Sequence, residues 1–355
     1  MVQQNILDIR TIYYEPAVLT YERGQEIMER YPDVQRIEVA SHWNIPELHQ
    51  NQELVQAWNT VKRTMLVLGV KKGVKCTPFY RSCDFIAPSQ ANGCAMACVY
   101  CYVARRKGFA NPITTFVNIE QIGMTIEKHA AKQGMKMEHS QADDRLWVYE
   151  LGTNSDCSVD AMISDNVKDL VALFRRLPNA KATFATKYVN RELLSYDPQK
   201  KTRIRFSLMP ASIARIVDVR TTPIEERIHV MNDFYEAGYE VNINFGPVIY
   251  YENWLSDYKS LFQQIDAVLQ PQVKEQLRAE VIFLTHNEQL HEVNLQWHPR
   301  AEALLWRPEM QENKVSQAGG GQNLRYQMGL KRKLVKDFTD MLTKELPYCR
   351  IRYAF

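Results

Sequence analysis

QANGCAMACVYCY, residues 90–102, is the stretch from which the rest of the chain is read. Cys94, Cys98 and Cys101 stand in a C-x3-C-x2-C spacing, with Tyr100 and Tyr102 on either side of the last. Thiols this close together point to a metal. A structural zinc site normally takes four ligands, often as two C-x2-C pairs, and no second pair follows. An iron–sulfur cubane held by only three cysteines keeps one iron open for another ligand. A zinc knuckle and plain buried cysteines are the competing readings of the same residues.

The bulk properties are those of a soluble globular chain. Its 355 residues suffice for one large domain or two smaller ones; 45% are hydrophobic and 24% charged, with a mean hydropathy of −0.38. The N-terminus shows no cationic segment followed by an apolar run, so no secretory signal is expected. No apolar stretch approaches the ~20 residues that span a bilayer. Seven cysteines, three at ligand spacing, suggest a reducing cytoplasm over a disulfide scaffold. The net charge is +3, and residues 286–355, with eleven Lys/Arg against eight Asp/Glu, hold all of that excess.

Residues 1–75 read as a mostly helical lead-in, with Leu54, Val55, Trp58, Val61 and Met65 at helical spacing. A short apolar strand then runs from Met65 to Val70. From about residue 76 to 285, strands and helices alternate. Asn118 is placed to cap a helix over 119–133. Strands are expected at 145–152, 181–187, 202–209, 239–251 (broken at Gly246-Pro247) and 279–285. Helices are expected at 162–177, near 190–195, at 223–237 ending at Gly238, and at 254–269. This is α/β patterning with a parallel sheet, fitted by an open sheet or a partial barrel. Either places the chemistry at the C-terminal strand ends. Residues 286–355 read as loop-rich around 297–321, then a basic helix over 323–345 and a final edge strand. Gly319-Gly320-Gly321 lack the Lys-Ser/Thr of a phosphate loop and read as a connector.

The spacing C-x3-C-x-(aromatic)-C is similar to the cluster motif of the radical S-adenosylmethionine (SAM) enzymes. With LVLGVKKGVK (66–75), ITTFVN (113–118), TKY (186–188), RIRFS (203–207), TTPIEERI (221–228) and RY (325–326) with Gly329, the chain resembles the spore photoproduct lyase family over nearly its whole length. The resemblance implies a partial (β/α)6 TIM-like barrel of the radical SAM type, with an α+β C-terminal extension. It implies that Cys94, Cys98 and Cys101 ligate a [4Fe–4S] cluster, with SAM on the fourth iron. Ser155, Lys187 and Ser207 match positions that hold SAM, and Arg325 and Tyr326 match a DNA-contacting segment. Lys331 lies one residue off that segment's usual lysine. Family members cleave SAM reductively to a 5′-deoxyadenosyl radical and separate a methylene-bridged thymine dimer in DNA. The implied partners are lesion-bearing DNA and an electron donor such as flavodoxin or ferredoxin. The chain is expected to be a cytoplasmic monomer.

One departure bears on mechanism. The family returns a hydrogen from a cysteine in a Cys-Thr-Ser-Asp context, and here the stretch is Thr153-Asn154-Ser155-Asp156. An alcohol O–H bond is far stronger than a thiol S–H bond, so Thr153 cannot do that step. Cys157, four residues on, reads either as a substitute donor in a loop or as a small buried residue. Tyr100 and Tyr102 match the family's hydrogen relays. Thr153 also keeps open a divergent radical SAM enzyme with another substrate, and a non-catalytic iron–sulfur DNA sensor, although a sensor has no use for SAM-holding residues. Glu150 reads as an acceptor for the SAM amino group or as a structural acceptor. Cys76 with Cys83, and His286, His291 and His298, lack a completed metal spacing. Tyr250-Tyr251 could stack on a base, with core packing as the plainer reading.

Overall fold

Parallel strands dominate from the start of the chain. The computed structural model describes residues 6–49, 57–103, 112–315 and 322–355. They fall into two units: residues 1–97, 102–204 and 237–240, and residues 98–101, 205–236 and 241–355.

The first unit opens with β1 (Thr11–Tyr14), α1 (Glu22–Arg30), β2 (Gln35–Glu38), α2 (Pro46–His49), α3 (Trp58–Thr64) and β3 (Met65–Gly69). The lead-in is therefore α/β, not mostly helical. β1 pairs in parallel with both β2 and β3, and β3 with β7 (Ile113–Phe116). The missed strands are short, and β2 is largely exposed, so neither shows an alternating apolar signal. Leu54 and Val55 of the expected amphipathic helix lie outside the described residues, while Trp58 and Val61 are buried on α3.

Further along come β4 (Thr77–Pro78), β5 (Phe85–Ile86), β6 (Ala91–Asn92), α4 (Ile119–Gln133), β8 (Trp147–Glu150), α5 (Cys157–Asp160), α6 (Asn166–Arg176) and β9 (Ala180–Thr186). β6 runs antiparallel to β7, β5 and β9 run parallel to β8 on its two sides, and β4 closes that edge. α4 buries Ile119, Ile122, Ile126 and Ala130, and α6 buries Val167, Leu170, Val171 and Phe174. Each large side chain so buried contributes about 1.5–3 kcal/mol. Asn118 precedes α4 but does not cap it. Its side-chain oxygen accepts from the Lys71 N–H (2.8 Å) and its amide donates to the Lys71 carbonyl (3.1 Å), so it fixes the exit of β3.

β10 (Thr202–Ser207) is buried along its whole length. In the first unit the Ala182 N–H donates to the Lys201 carbonyl, and in the second the Leu208 N–H donates to the Asn244 carbonyl. The second unit continues with α7 (Ala211–Val217), α8 (Ile224–Glu236), β11 (Glu240–Val248), α9 (Trp254–Val268), α10 (Pro271–Gln276) and β12 (Arg278–Phe283). β12 pairs in parallel with β11 and with β16 (Arg350–Ala354), the edge strand expected at the C-terminus. β11 does not stop at Gly246-Pro247; its register slips there and it continues to Val248.

The remaining elements are β13 (Thr285–His286), α11 (Glu288–Trp297), α12 (Pro299–Leu305), β14 (Gln311–Val315), β15 (Gln322–Tyr326) and α13 (Met328–Glu345). β15 lies antiparallel between β13 and β14. Among its described residues the segment is thus not loop-rich, and the basic helix begins at Met328, leaving Arg325 and Tyr326 on a strand. These strands are polar (QENKV, QNLRY), and only the ladder between them reveals them. Gly319-Gly320-Gly321 lies outside the described residues. Among the described residues no helix is long and apolar enough to cross a membrane.

Buried ion pairs fix strand positions in each unit. Arg203 donates to Glu240 (2.6 Å), which Lys181 also contacts. In the second unit Glu280 takes Arg205 at 2.7 Å and Arg352 at 3.3 Å. Burial opposes the charge on Glu280, but the two guanidinium groups outweigh it and hold the carboxyl below its usual range. Glu280→Ala strands two buried cations, and an unfolding titration should show a loss of about 3–5 kcal/mol. A loss below about 1 kcal/mol would show that water replaces the carboxylate.

Candidate active site

The cysteine motif starts at a position that only glycine tolerates. Gly93 has φ +89°, and a Cβ there would lie 2.4 Å from the Pro112 carbonyl oxygen. Its N–H donates to the Asn154 carbonyl (2.8 Å), tying the motif's entry to the loop after β8. The next carbonyl, that of Cys94, accepts from the ammonium of Lys62 (3.3 Å), and the Met96 N–H points at the Cys94 sulfur (3.4 Å).

The loop after β8 carries Thr153, Ser155 and Asp156. Asp156 is its hub. One carboxylate oxygen caps α5 through the Ser158 N–H (3.0 Å) and accepts from the Thr186 hydroxyl (2.8 Å); the other accepts the Lys187 N–H (3.0 Å). This buried carboxylate brings Ser155 and Lys187, from the loops after β8 and β9, into one structure. The Ser155 hydroxyl donates to Asp160 (2.6 Å), which also accepts from Gln90 (2.9 Å). Burial, with the Asp156 charge adding to it, pushes the Asp160 carboxyl up to about 8, against the pull of the Ser155 and Gln90 hydrogen bonds. The second oxygen of Asp160 is buried with no hydrogen-bond partner, which suits a carboxyl that keeps its proton.

Tyr102 is half exposed, and its hydroxyl donates to the backbone carbonyl of Thr153. The Thr153 hydroxyl is buried without a partner. Cys157 does not lie in a loop. It opens α5, 1% exposed, and its sulfur sits where a Cβ on Gly152 would meet it at 2.6 Å. Gln90 donates to that sulfur (3.4 Å), while burial and the charges of Asp160, Asp156 and Glu150 push the thiol well above its usual range. Glu150, at the end of β8, accepts from the Ser82 hydroxyl (3.3 Å).

In the second unit the Val99 N–H donates to the Val217 carbonyl (3.0 Å) and the Cys101 N–H to the Cys98 carbonyl (3.1 Å). The hydroxyl of the half-buried Tyr100 donates to Asp218, and Arg227 bridges Asp218 (3.2 Å) and the Ser207 carbonyl (2.8 Å). Burial, then the nearby Asp218 and Cys98 charges, push the Tyr100 phenol well above its usual range. A chain of contacts therefore joins Ser207, at the end of β10, to the tyrosine between two motif cysteines. Arg325 is paired with Glu312 (2.8 Å) across the β14–β15 ladder. Tyr326 is 1% exposed, and its hydroxyl accepts the Tyr250 backbone N–H (2.8 Å). Lys331 lies on α13, its ammonium 5.6 Å from the Phe355 ring centre.

Asp156, Asp160, Gln90 and Asp218 were not singled out in the sequence. An Asp two residues before a helical Ser is an N-cap signal that could have found Asp156; the other three meet their partners only through folding.

Among the described residues no three His, Cys, Asp or Glu side chains converge on one point suited to a metal ion. A cubane has a different requirement, because each thiolate takes its own iron at a separate corner. The donor set fits that group: Cys94, Cys98 and Cys101 are half buried, none is in a disulfide, and a backbone N–H already faces the Cys94 sulfur. Cys83 is buried, and burial pushes the Cys76 thiol up to about 11, which suits protonated thiols rather than metal ligands.

Asp160 gives a pH prediction. An unfolded Asp titrates near 4, so between about pH 4 and 8 the folded chain holds a proton the unfolded chain has lost, and stability falls as pH rises through that window. Asp160→Asn should flatten the pH dependence of thermal unfolding there; an unaltered slope would mean that Asp160 is ionised in the fold.

Comparison with known proteins bears on the family and the fold. A family model described as "SPL: Spore photoproduct lyase" matches residues 8–355. The spore photoproduct lyase of Bacillus subtilis (strain 168) is 27% identical over 282 residues, 79% of each chain. That of Clostridium acetobutylicum is 26% identical over 260 residues, 72% of this chain and 73% of the relative. A solved spore photoproduct lyase mutant with bound AdoMet and dinucleoside spore photoproduct superposes with a TM-score of 0.88 at 21% identity, covering 99% of this chain and all of that one. A second, complexed with dinucleoside spore photoproduct, gives the same score, identity and coverage. These likenesses show the fold, an α/β half-barrel built on a curled parallel sheet.

Proposed function

Because the chain belongs to the spore photoproduct lyase family, we propose that it is a radical SAM lyase that reverses a thymine-dimer lesion in DNA. The observation that carries this reading is the Gly93 N–H on the Asn154 carbonyl, which fixes the start of the cysteine motif against the loop bearing Thr153 and Ser155. Cys94, Cys98 and Cys101 would hold a [4Fe–4S] cluster, and Ser155, Lys187 and Ser207 would hold SAM. Bound there, the pair would supply one-electron reductive cleavage of SAM and a carbon radical able to abstract hydrogen. The AdoMet and dinucleoside spore photoproduct bound by the solved relative support the same ligands here.

The protein's own part is placement. Asp156 sets the Ser155 and Lys187 loops together, and Asp160 orients the Ser155 hydroxyl. Residues 76–285 would carry the chemistry and residues 286–355 the DNA contact, with Arg325 and Lys331 toward the backbone and Tyr326 bracing Tyr250. Flipping the lesion out of the stack would bring it within reach of the radical, at a cost that a damaged base lowers. The electron donor would be a flavodoxin or ferredoxin, and the working form a cytoplasmic monomer.

The hydrogen returned to the product needs a source other than Thr153. Tyr102 is exposed, and its hydroxyl rests on the Thr153 carbonyl; a phenol O–H is weak enough to be given up as a hydrogen atom. One C–H bond forms on the product, and the phenoxyl radical left on Tyr102 is quenched by an electron from the same donor and a proton. Tyr100, with its hydroxyl on Asp218, would be a relay behind it. Cys157 is the second candidate source, a protonated thiol held under Gly152. Thr153 also favours a second reading, a related radical SAM enzyme with a different substrate.

Anaerobically reconstituted protein should bind about four irons per chain, as a cubane requires, and release 5′-deoxyadenosine from SAM with dithionite. Cys98→Ala should abolish that release; cleavage retained would sink the cluster assignment. An oligonucleotide carrying the spore photoproduct separates the two substrate readings, since SAM cleavage with no thymine recovered favours the second. Tyr102→Phe should keep SAM cleavage but lower thymine recovery at least ten-fold, with Cys157→Ala near wild type. The reverse pattern would move the donor to Cys157.

A further inference from the structure

Two histidines that lack metal spacing in the sequence turn out to meet on one carboxylate. Glu302, on α12, is 2% exposed. Its Oε1 faces His286 Nε2 at 2.8 Å and His291 Nδ1 at 2.6 Å, and its Oε2 accepts from the Asn294 amide at 2.8 Å. The His291 ring stacks on Trp306 at 3.9 Å. Burial opposes the Glu302 charge, but hydrogen bonds from His286, His291 and Asn294 and the His286 charge outweigh it and hold the carboxyl below its usual range.

Asn294 does more than complete this cluster. It is fully buried on α11, and the same amide nitrogen donates to the Val99 carbonyl at 2.8 Å. Val99 stands between Cys98 and Tyr100 and is itself fully buried. Its N–H is held by Val217 and its C=O by Asn294, so the backbone of this motif residue is fixed on both sides. At the other end, His286 belongs to β13 and pairs with Leu324 of β15, beside the Thr285–Arg325 pair. A continuous buried polar path thus runs from the strand bearing Arg325 through His286, Glu302 and Asn294 to Val99.

We propose that Asn294 and Glu302 are positioning residues that set the Cys98–Cys101 segment in register with the β13–β15 ladder. The role rests on the cluster reading above, but its geometry belongs to the chain alone. An amide on a backbone carbonyl fixes a loop at one atom, and a carboxylate taking three side chains holds that amide in one rotamer.

Hydrogen exchange read by mass spectrometry on the apo chain tests this without any cofactor. Asn294→Leu should accelerate exchange of the peptide covering Cys98–Cys101 about ten-fold, the size expected for one lost buried hydrogen bond, while α13 exchanges as in wild type. Unchanged exchange at Cys98–Cys101, or equal acceleration in α13, overturns the proposal. Should Asn294→Leu fail to fold, Glu302→Gln keeps the shape and removes the charge, and a smaller acceleration confined to the same peptide is expected. In reconstituted protein, Asn294→Leu should still take up iron yet shift the EPR g values of the reduced cluster; identical g values count against it. Wild type that takes up no iron would overturn the cluster reading instead, and the exchange result would still decide the positioning role.

Discussion

The backbone at Gly93 has no room for a side chain, and the placing of the cysteine motif follows from that. A left-handed φ with a carbonyl oxygen 2.4 Å from any Cβ makes glycine the residue that fits. Because the chain turns there, its N–H reaches the Asn154 carbonyl, and the cysteines enter beside a strand-terminal loop. That loop is held by Asp156, whose carboxylate takes N–H and O–H donors from two successive strand ends. Burial alone would drive the Asp156 proton on, and the carboxyl does lie above its usual range, with the hydrogen bonds opposing that trend. Geometry around a titratable hub of this kind is costly to rebuild, which is why the loops after β8 and β9 act as one piece.

Further into the motif the control passes from backbone conformation to buried polar contacts. Val99 is held at both its N–H and its carbonyl, and Tyr100 is held through Asp218 and Arg227 to the end of β10. None of these partners lies near the motif in sequence. Burial raises the stakes, since an unmade hydrogen bond in a dry setting costs about 1–3 kcal/mol. The motif cysteines are thus carried on backbone whose freedom has been removed by other means.

The tyrosines show how one motif can serve two roles. Tyr100 is half buried, and the burial of its hydroxyl with neighbouring charge holds its proton. Tyr102, two residues on, is half exposed, with its hydroxyl on the Thr153 carbonyl. Exposure and partner separate residues that the sequence presents as a matched pair. Cys157 shows the opposite correction: a residue read as a loop donor proves to be a helix-opening thiol packed beneath Gly152.

Cysteine spacing, strand–helix alternation and the positions of Gly238 and the C-terminal edge strand could be read from the sequence alone. Each is a local signal: ligand spacing, a periodicity, or a residue type that ends a helix. The α/β core and the identity of the cluster, SAM and relay candidates follow from such signals together with the family resemblance. The strands of the lead-in and of β14–β15 could not be read, because short or polar strands are stabilised by their neighbours' ladders rather than by their own composition. Asn118 carried a capping signal, yet tertiary contact turned it to Lys71. The polar network around Asp160 and the Glu302 junction were also hidden, since their members lie far apart in the chain or carry no periodic pattern. Only the fold, by excluding water and bringing distant donors to one carboxylate, decided what those residues do.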